Sequence, residues 1–208
     1  MANELLNGAE VLSTHGISKQ VSSPEGIRYI LSDVSFSMNA GATVAVVGPS
    51  GAGKSTLLAL LAGLDLPTSG HVVLNGANLS ELDEDGRARV RAESVGFVFQ
   101  SFQLVPSLNA LENVMLPLEL AGGQDARKSS RGIIEKVGLA DRGSHYPSQR
   151  SGGEKQRVAI ARAFATEPAV LVADEPTGNL DSGTGSNIME LMFELNRSSA
   201  TTLVLVTH

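Results

Sequence analysis

The chain has 208 residues, of which 42% are hydrophobic and 18% are charged, so it can bury a core and is not a mainly disordered protein. It has no cysteine, which excludes a disulfide scaffold and any thiolate metal site, and its net charge of −6 gives no general attraction to nucleic acid or anionic lipid. Its longest apolar runs fall far short of the roughly 18 residues that a transmembrane helix needs. The composition indicates a globular domain.

Short apolar runs and helical periodicities alternate along the chain. The runs predict β-strands at Glu10–Thr14, Tyr29–Met38, Thr43–Val47, His71–Leu74, Val95–Phe99, Val170–Ala173 and Leu203–Val206. The periodicities predict helices at Lys54–Ala62, Glu84–Ala92, Ala110–Ala121, Arg131–Val137, Glu154–Ala165 and Gly183–Leu195. The last two strands are continuously apolar, which is typical of strands covered on both faces in a parallel sheet. Because residues from about 101 to 165 contain no convincing strand, we interpret them as a helical insertion in an α/β core.

Many of the 22 glycines lie between apolar runs, and one group forms a phosphate-binding pattern. The strand Thr43–Val47 leads directly into a segment that fits G-x-x-x-x-G-K-[ST] in full, followed by good helix formers. Its candidate nucleotide-binding residues are Gly48, Pro49, Ser50, Gly51, Ala52, Gly53, Lys54, Ser55 and Thr56. Backbone N–H groups and the helix N-terminus favour a polyphosphate, the Lys54 ammonium can reach the β- and γ-phosphates, and the Ser55 hydroxyl can bind Mg²⁺. The alternative is a glycine-rich turn before a buried helix.

A second candidate group follows the strand Val170–Ala173. Asp174 comes at its carboxyl end, at the edge where open α/β sheets bind ligands, and we expect it to help hold Mg²⁺ through water. Glu175 is then a candidate to polarise an attacking water, since adjacent residues of a strand point to different sides. The alternative is a solvated strand end before a turn. The adjacent carboxylate favours hydrolysis over transfer to a second substrate.

A third candidate group is Ser151–Gly152–Gly153, which leads into an apolar helix. A hydroxyl, a flexible backbone and a helix N-terminus together form a second anion-binding arrangement. Because the chain has two such arrangements but only one phosphate-loop lysine, we expect one nucleotide to be held between two subunits. The alternative is a helix cap in which Ser151 and Glu154 form a capping box, and both interpretations are compatible.

These segments, in this order, resemble the ATP-binding subunits of ABC transporters over essentially the whole chain. Residues 48–56 resemble the Walker A loop, 170–176 the Walker B strand, 151–157 the ABC signature and 178–181 the D-loop. Gln100 matches the Q-loop glutamine and His208 the switch histidine. The resemblance implies a P-loop NTPase core with a mainly parallel sheet, an N-terminal antiparallel β part and a helical signature subdomain. It implies a single domain over 1–208, with a core lobe at about 1–100 and 166–208 and a helical lobe at about 101–165.

The family mechanism implies that two chains stack head to tail around two ATP–Mg²⁺. Each ATP then lies between Lys54 and Ser55 of one chain and the signature residues Ser151, Gly152, Gly153 and Glu154 of the other. Glu175 orients or deprotonates the attacking water, and His208 holds the γ-phosphate. Gln100 senses Mg²⁺ and the membrane partner, and Asp181 communicates between the two sites. The cofactors expected are ATP and Mg²⁺.

Further matches resemble one branch of this family, the lipoprotein-releasing and macrolide-exporting (LolD/MacB-type) ATPases, and within it the YbbA-like subunits. They lie at 97–102, 104–106, 111–114 and 173–181. The resemblance implies an integral membrane permease of the FtsX/MacB sort on a separate chain, and no nucleic acid partner. It implies a cytoplasmic location, peripheral on the inner face of the cell membrane.

Three positions depart from the family pattern. Arg150 stands where the signature usually has leucine, so it either alters packing of the signature turn or adds a contact to nucleotide. Val21 stands where an aromatic ring is expected to stack on adenine, and we therefore expect appreciable tolerance of GTP. Tyr29 is not expected to replace that ring, because its strand position favours core packing. His208 is the last residue, whereas family members continue, so we expect a truncated cassette.

Two other classes of protein share part of this pattern. An ABC-type ATPase acting on nucleic acid or ribosomes is the main alternative, but the interval from Lys54 to Asp174 has neither heptads nor cysteines, and the chain has one cassette. A P-loop GTPase or small-molecule kinase leaves Ser151–Arg157 unexplained and requires motifs that the chain lacks. The sequence therefore favours the transporter ATPase.

Overall fold

The computed structural model describes residues 8–24 and 26–207, so the predicted switch histidine His208 lies outside the described residues. The strands are β1 (Glu10–Ser23), β2 (Gly26–Asn39), β3 (Thr43–Val47), β4 (Ser69–Leu74), β5 (Ala77–Asn78), β6 (Val95–Phe99), β7 (Val170–Asp174) and β8 (Thr202–Thr207). The α-helices are α1 (Lys54–Leu61), α2 (Glu84–Ser94), α3 (Ala110–Leu120), α4 (Ala126–Lys136), α5 (Gly152–Phe164) and α6 (Ser182–Ser199). Short 3₁₀ turns lie at Leu79–Glu81, Ala140–Arg142 and Pro147–Gln149. None of the described helices is both long and apolar enough to cross a membrane.

A parallel sheet in the order β3-β8-β7-β6 positions the candidate site. Val47 pairs with Thr207 at one side of the sheet, and Asp174 pairs with Phe99 at the other. Because all four strands run in the same direction, the segments that follow them emerge at one edge. The phosphate loop, Asp174 and Gln100 therefore lie at the same edge of one sheet.

The two central strands of this sheet are covered on both faces, as their apolar runs predict. Leu171 and Leu203 face a core formed with helices α3 to α6. Val172 and Val204, the next residues along each strand, face a second core formed with α1 and the other sheet. This alternation follows from the two-residue period of a strand and explains why the runs contain no polar residue.

The second sheet is antiparallel, in the order β2-β1-β4-β5, and its first two strands form a hairpin longer than predicted. The polar residues at 15–23 conceal the continuation of β1 from a hydrophobicity pattern, but cross-strand hydrogen bonding extends it to Ser23. The prediction that Tyr29 packs in the core is wrong, because its side chain is 61% exposed. Tyr29 lies on β2, opposite Gln20, on a face of the hairpin that the core does not cover.

The segment between β6 and β7 contains three α-helices, α3 to α5, and no strand among its described residues. Helix α4 begins at Ala126, earlier than the predicted Arg131, because its first turn buries small residues that give no apolar signal. Within that turn the Ser130 hydroxyl donates a hydrogen bond to the Ala126 carbonyl at 2.7 Å. Helix α6 ends at Ser199, and its C-cap residue Ala200 has a left-handed backbone with φ of 51°. The two-lobe division remains a prediction.

Candidate nucleotide-binding site

The phosphate loop connects β3 to α1 at the carboxyl edge of the parallel sheet. Gly51 and Gly53 have φ values of 79° and 86°, in the left-handed region that favours glycine. Gly53 has a second requirement, since a Cβ atom there would lie 2.8 Å from the Ile30 carbonyl oxygen of β2. The conformation of the loop and the strand that crosses it therefore both require glycine at Gly53.

Lys54 is the first residue of α1, and it is buried despite its charge. Its Nζ atom donates hydrogen bonds to the carbonyl oxygens of Gly48 at 2.7 Å and Pro49 at 3.1 Å. These carbonyls belong to the loop that the lysine follows. The loop therefore holds its own ammonium group at the mouth of the cradle, where a phosphate oxygen can compete for the same hydrogens.

The two predicted metal ligands meet across the gap between α1 and β7. Oγ of Ser55 donates a hydrogen bond to Oδ2 of Asp174 at 3.1 Å. A hydroxyl and a carboxylate are hard oxygen donors, and Mg²⁺ is bound in proteins by one or two such groups together with phosphate and water. The contact places both oxygens at one point beside the phosphate loop, so these residues fit the ion.

Glu175 follows β7 with a left-handed backbone, at φ of 45°. Its amide donates to the Val206 carbonyl at 3.1 Å, and its own carbonyl accepts from the Gly178 amide at 3.0 Å. Such a conformation is costly for a residue with a Cβ atom, and it is held here by hydrogen bonds on both sides. Glu175 lines a cavity of about 370 Å³ together with Arg28, Ile30, Ser50, Gly51, Gly53, Lys54, Ser55 and Thr56.

Gln100 lies after β6 and contacts the segment that follows Walker B. The Asn179 Nδ2 atom donates to the Gln100 carbonyl at 2.9 Å, and the Gln100 Nε2 atom donates to Asn179 Oδ1 at 3.4 Å. A Cβ atom at Gly178 would lie 2.6 Å from Gln100 Nε2, so the two segments are closely packed. No hydrogen bond within 8–24 and 26–207 joins Gln100 to Ser55 or Asp174. The structure thus brings Gln100 to the D-loop segment, and its role as a magnesium ligand remains a prediction.

The signature segment begins α5 with a capping box. The Ser151 Oγ atom accepts from the Glu154 amide at 3.3 Å, and the Glu154 carboxylate accepts from the Ser151 amide at 3.0 Å. That backbone hydrogen bond from Ser151 lowers the pKa of the Glu154 carboxyl. Glu154 also forms an ion pair with Arg142 at 2.6 Å. The helix-cap interpretation is therefore confirmed, and a role in holding nucleotide remains compatible with it.

The signature glycines pack against the start of α6. A Cβ atom at Gly152 would lie 3.1 Å from a methyl carbon of Leu180, and one at Gly153 would lie 2.7 Å from Cγ2 of Thr184. Asp181 caps α6 by accepting a hydrogen bond from the Thr184 amide at 3.0 Å, which lowers the pKa of its carboxyl. The signature turn and the D-loop are therefore one packed unit.

The Arg150 side chain, next to the signature turn, is turned inward. The residue is 7% exposed, and its guanidinium donates to the backbone carbonyls of Arg142 and, at 3.4 Å, of His145. Its Nη1 atom is buried without a hydrogen-bond partner. Burial lowers the pKa of the Arg150 guanidinium. A direct contact with nucleotide does not fit this buried position.

The candidate residues thus form two separate groups within one chain. The residues that line the 370 Å³ cavity come from β2, the phosphate loop with α1, and the end of β7, and none of them lies between 151 and 154. Arg28 and Ile30 in this lining were not predicted from the sequence. The only feature that could have indicated these residues is the register of the hairpin, in which Arg28 pairs directly with Val21. No sequence motif indicates that register.

The parallel sheet carries a phosphate loop and a strand-end carboxylate at one edge, and this combination defines a P-loop ATPase. The chain belongs to the ABC transporter family, whose model matches residues 31–178. It has the α/β fold of ATP-binding cassettes and is an ABC-type ATPase. It is 53% identical over 200 residues to the ABC transporter ATP-binding protein YbbA of Escherichia coli K12, covering 95% of this chain and 88% of YbbA. It is 48% identical over 204 residues to the lipoprotein-releasing system ATP-binding protein LolD of Xanthomonas campestris pv. campestris strain 8004, covering 97% of this chain and 85% of LolD.

A solved structure of the ATP-binding cassette MJ0796, a dimer in a post-hydrolysis state bound to ADP and Pi, superposes with a TM-score of 0.86 at 41% identity. The match covers 95% of this chain and 88% of that one. A further dimeric structure of MJ0796, a bacterial ABC transporter cassette, matches with the same TM-score and identity. These likenesses confirm the predicted class of fold and enzyme.

Proposed function

We propose that two copies of this chain stack head to tail around two ATP–Mg²⁺ and drive a membrane permease carried on another chain. The observation that carries this proposal is the separation of the two phosphate-facing groups. The phosphate loop, Asp174 and Glu175 converge at one sheet edge, whereas Ser151–Gly153 lie outside that cavity. In a head-to-tail dimer, Ser151–Gly153 of one copy face the polyphosphate that the phosphate loop of the other copy binds. The MJ0796 cassettes, which are dimeric in both solved structures, support the pairing of two copies.

Within each composite site, the residues of one chain bind the polyphosphate and those of the partner close over it. The Lys54 ammonium exchanges its loop carbonyls for phosphate oxygens, and Ser151 with its helix N-terminus approaches from the other copy. Ser55 and Asp174 would hold Mg²⁺, which would supply positive charge to offset that of the polyphosphate. We assign to His208 a contact with the γ-phosphate and to Asp181 communication between the sites.

Glu175 is the proposed general base. Its carboxylate orients a water molecule and takes a proton from it as the water oxygen attacks the γ-phosphorus. The bond from that phosphorus to the bridging oxygen breaks, and the oxygen leaves with ADP. The left-handed backbone of Glu175, fixed through Val206 and Gly178, sets the direction of the side chain before substrate binds.

The membrane partner proposed is a permease of the FtsX/MacB sort, which places the ATPase at the inner face of the cell membrane. Support comes from the likeness to LolD, an ATP-binding protein of the lipoprotein-releasing system. Isolation of the native protein from membranes is expected to co-purify an integral membrane protein of this sort. Recovery with ribosomes or DNA instead would contradict the proposal and favour the alternative class.

The experiment that tests the enzymatic part is the substitution Glu175→Gln. Loss of a general base lowers turnover by about 10²- to 10⁴-fold, while ATP binding remains. The variant is therefore expected to accumulate as an ATP-bound dimer, visible by size-exclusion chromatography with ATP and Mg²⁺. Glu93→Gln, an exposed carboxylate on α2, serves as the control. Hydrolysis by the Glu175 variant at the parent rate would show that another group is the base.

A further inference from the structure

Strand β2 adds an arginine to the nucleotide cavity that no motif identifies. Arg28 and Ile30 both line the 370 Å³ cavity, and the Ile30 carbonyl lies directly over Gly53 of the phosphate loop. Residues two apart in a strand lie about 7 Å from each other along its length. Arg28 therefore extends the wall of the cavity outward from the phosphate cradle, along the direction of β2.

The hairpin register places Arg28 beside the position expected to contact the base. Val21 and Arg28 are direct cross-strand partners, and side chains of such partners share a face of the sheet. Tyr29 points to the opposite face, so it cannot supply a ring to this cavity. On this face the hairpin thus presents a small apolar side chain next to a long, planar cation.

The two cationic side chains that line this cavity, Lys54 and Arg28, differ in their hydrogen-bond partners within the protein. Lys54 is buried and donates to two loop carbonyls. Arg28 is exposed and has no hydrogen-bond or ion-pair partner among the described residues. Several other arginines of the chain are held by protein groups, such as Arg91, which donates to the Gly63 carbonyl and pairs with Glu84. Within the described chain, the guanidinium of Arg28 is therefore available to a ligand of this cavity.

We propose that Arg28 packs its planar guanidinium against the base of the bound nucleotide, a contact that rests on the nucleotide site proposed above. A phosphate chain held by the loop leaves the nucleoside to extend along the cavity wall, where β2 carries Arg28. A guanidinium stacks on any base, because every base has a π face. Arg28 therefore supplies affinity without selecting adenine, which accounts physically for the expected tolerance of GTP.

The test compares ligands with and without a base, using the intact protein and isothermal titration calorimetry. ADP, GDP and inorganic pyrophosphate are titrated, because none of them requires the catalytic step. Arg28→Ala is expected to weaken the binding of ADP and of GDP to a similar extent, by about 3- to 10-fold, and to leave the affinity for pyrophosphate unchanged. Arg28→Lys keeps the charge but loses the plane, and is expected to weaken ADP as Arg28→Ala does.

Two controls separate this contact from the phosphate site. Arg89→Ala removes another exposed arginine, on α2 outside the cavity, and should leave all three affinities unchanged. Lys54→Ala should weaken pyrophosphate and ADP alike, and its failure to do so would reject the phosphate site instead of the Arg28 contact. Three results would each overturn the proposal. The first is loss of pyrophosphate binding in Arg28→Ala, and the second is an affinity for ADP equal to the parent's in Arg28→Ala or in Arg28→Lys. The third is absence of ADP binding by the parent protein.

Discussion

The phosphate loop and the signature turn are both glycine-rich segments that precede a helix, but their polar groups are engaged in different ways. At the phosphate loop, the Ser55 hydroxyl and the Asp174 carboxylate come from segments far apart in sequence and meet at 3.1 Å. At the signature turn, Ser151 and Glu154 satisfy each other within one helical turn. The first arrangement depends on tertiary structure, and the second is local.

This difference shows which glycine segment carries the chemistry of the isolated chain. The phosphate loop already faces a cavity that contains a candidate base, Glu175, and a candidate cation, Lys54. The signature turn is a stable helix start packed on α6, and it acquires a ligand only if another copy brings a phosphate to it. Substitutions made in one segment at a time test this difference.

Replacing Lys54 by alanine tests the phosphate loop. Each charge-assisted hydrogen bond contributes about 1.5–3 kcal/mol, so loss of the ammonium should weaken ATP binding at least tenfold. The fold should survive, because the two carbonyls that Lys54 bonds belong to Gly48, which is half-buried, and Pro49, which is exposed. Equilibrium titration with ATP and thermal unfolding measure the two effects. Lys128→Ala, on the exposed face of α4, is the control and should change neither.

Replacing Gly153 by alanine tests the packing of the signature turn. The added Cβ atom would lie 2.7 Å from Cγ2 of Thr184, a stiff β-branched side chain, and overpacking of this kind costs about 1–3 kcal/mol of unfolding free energy. Gly132→Ala in α4 has no heavy atom within 4 Å and should instead stabilise by about 0.5–1 kcal/mol. Urea denaturation compares the two. Equal effects of the two substitutions would contradict the packing described.

The capping box of the signature helix should make part of the stability depend on pH. The pKa of Glu154 is lowered in the folded chain, so its stabilising effect is complete above the ordinary value of 4.5 and is lost as pH falls through the folded value. Glu154→Gln keeps the cap but lacks the charge. The difference in Tm between parent and variant should be largest near pH 7 and shrink below about pH 4.5. A difference independent of pH would show that charge has no part in it.

Replacing Arg150 by leucine should have the smallest effect. The two carbonyls that the guanidinium bonds keep other donors, since the His145 amide donates to Arg142 and the Ala110 amide donates to His145. The substitution also removes a buried charge whose Nη1 atom has no partner, so the unfolding free energy should change by less than about 1 kcal/mol. Arg150→Ala removes the packing as well and should cost about 2 kcal/mol. A large loss in the leucine variant would assign the guanidinium a stronger structural role.

The sequence predicts best where one local rule determines the structure. The bounds of β3 and β6 agree with the prediction, because apolar runs bounded by turn residues define them. The prediction was least accurate where tertiary contacts decide, as in the long hairpin and in the exposed side chain of Tyr29. Arg28 shows the same limit for the site, since only the pairing with Val21 brings it to the cavity.

The measurement that most directly tests the composite site mixes two inactive variants. Ser151→Asp keeps a good helix cap but places a carboxylate where the partner's polyphosphate is expected, and Lys54→Ala damages the phosphate loop. In a mixed dimer one site combines an intact loop with an intact signature turn, whereas the other site carries both changes. ATPase activity of the mixture well above the sum of the separate variants is the predicted result. Activity no greater than that sum would contradict a site shared between two copies.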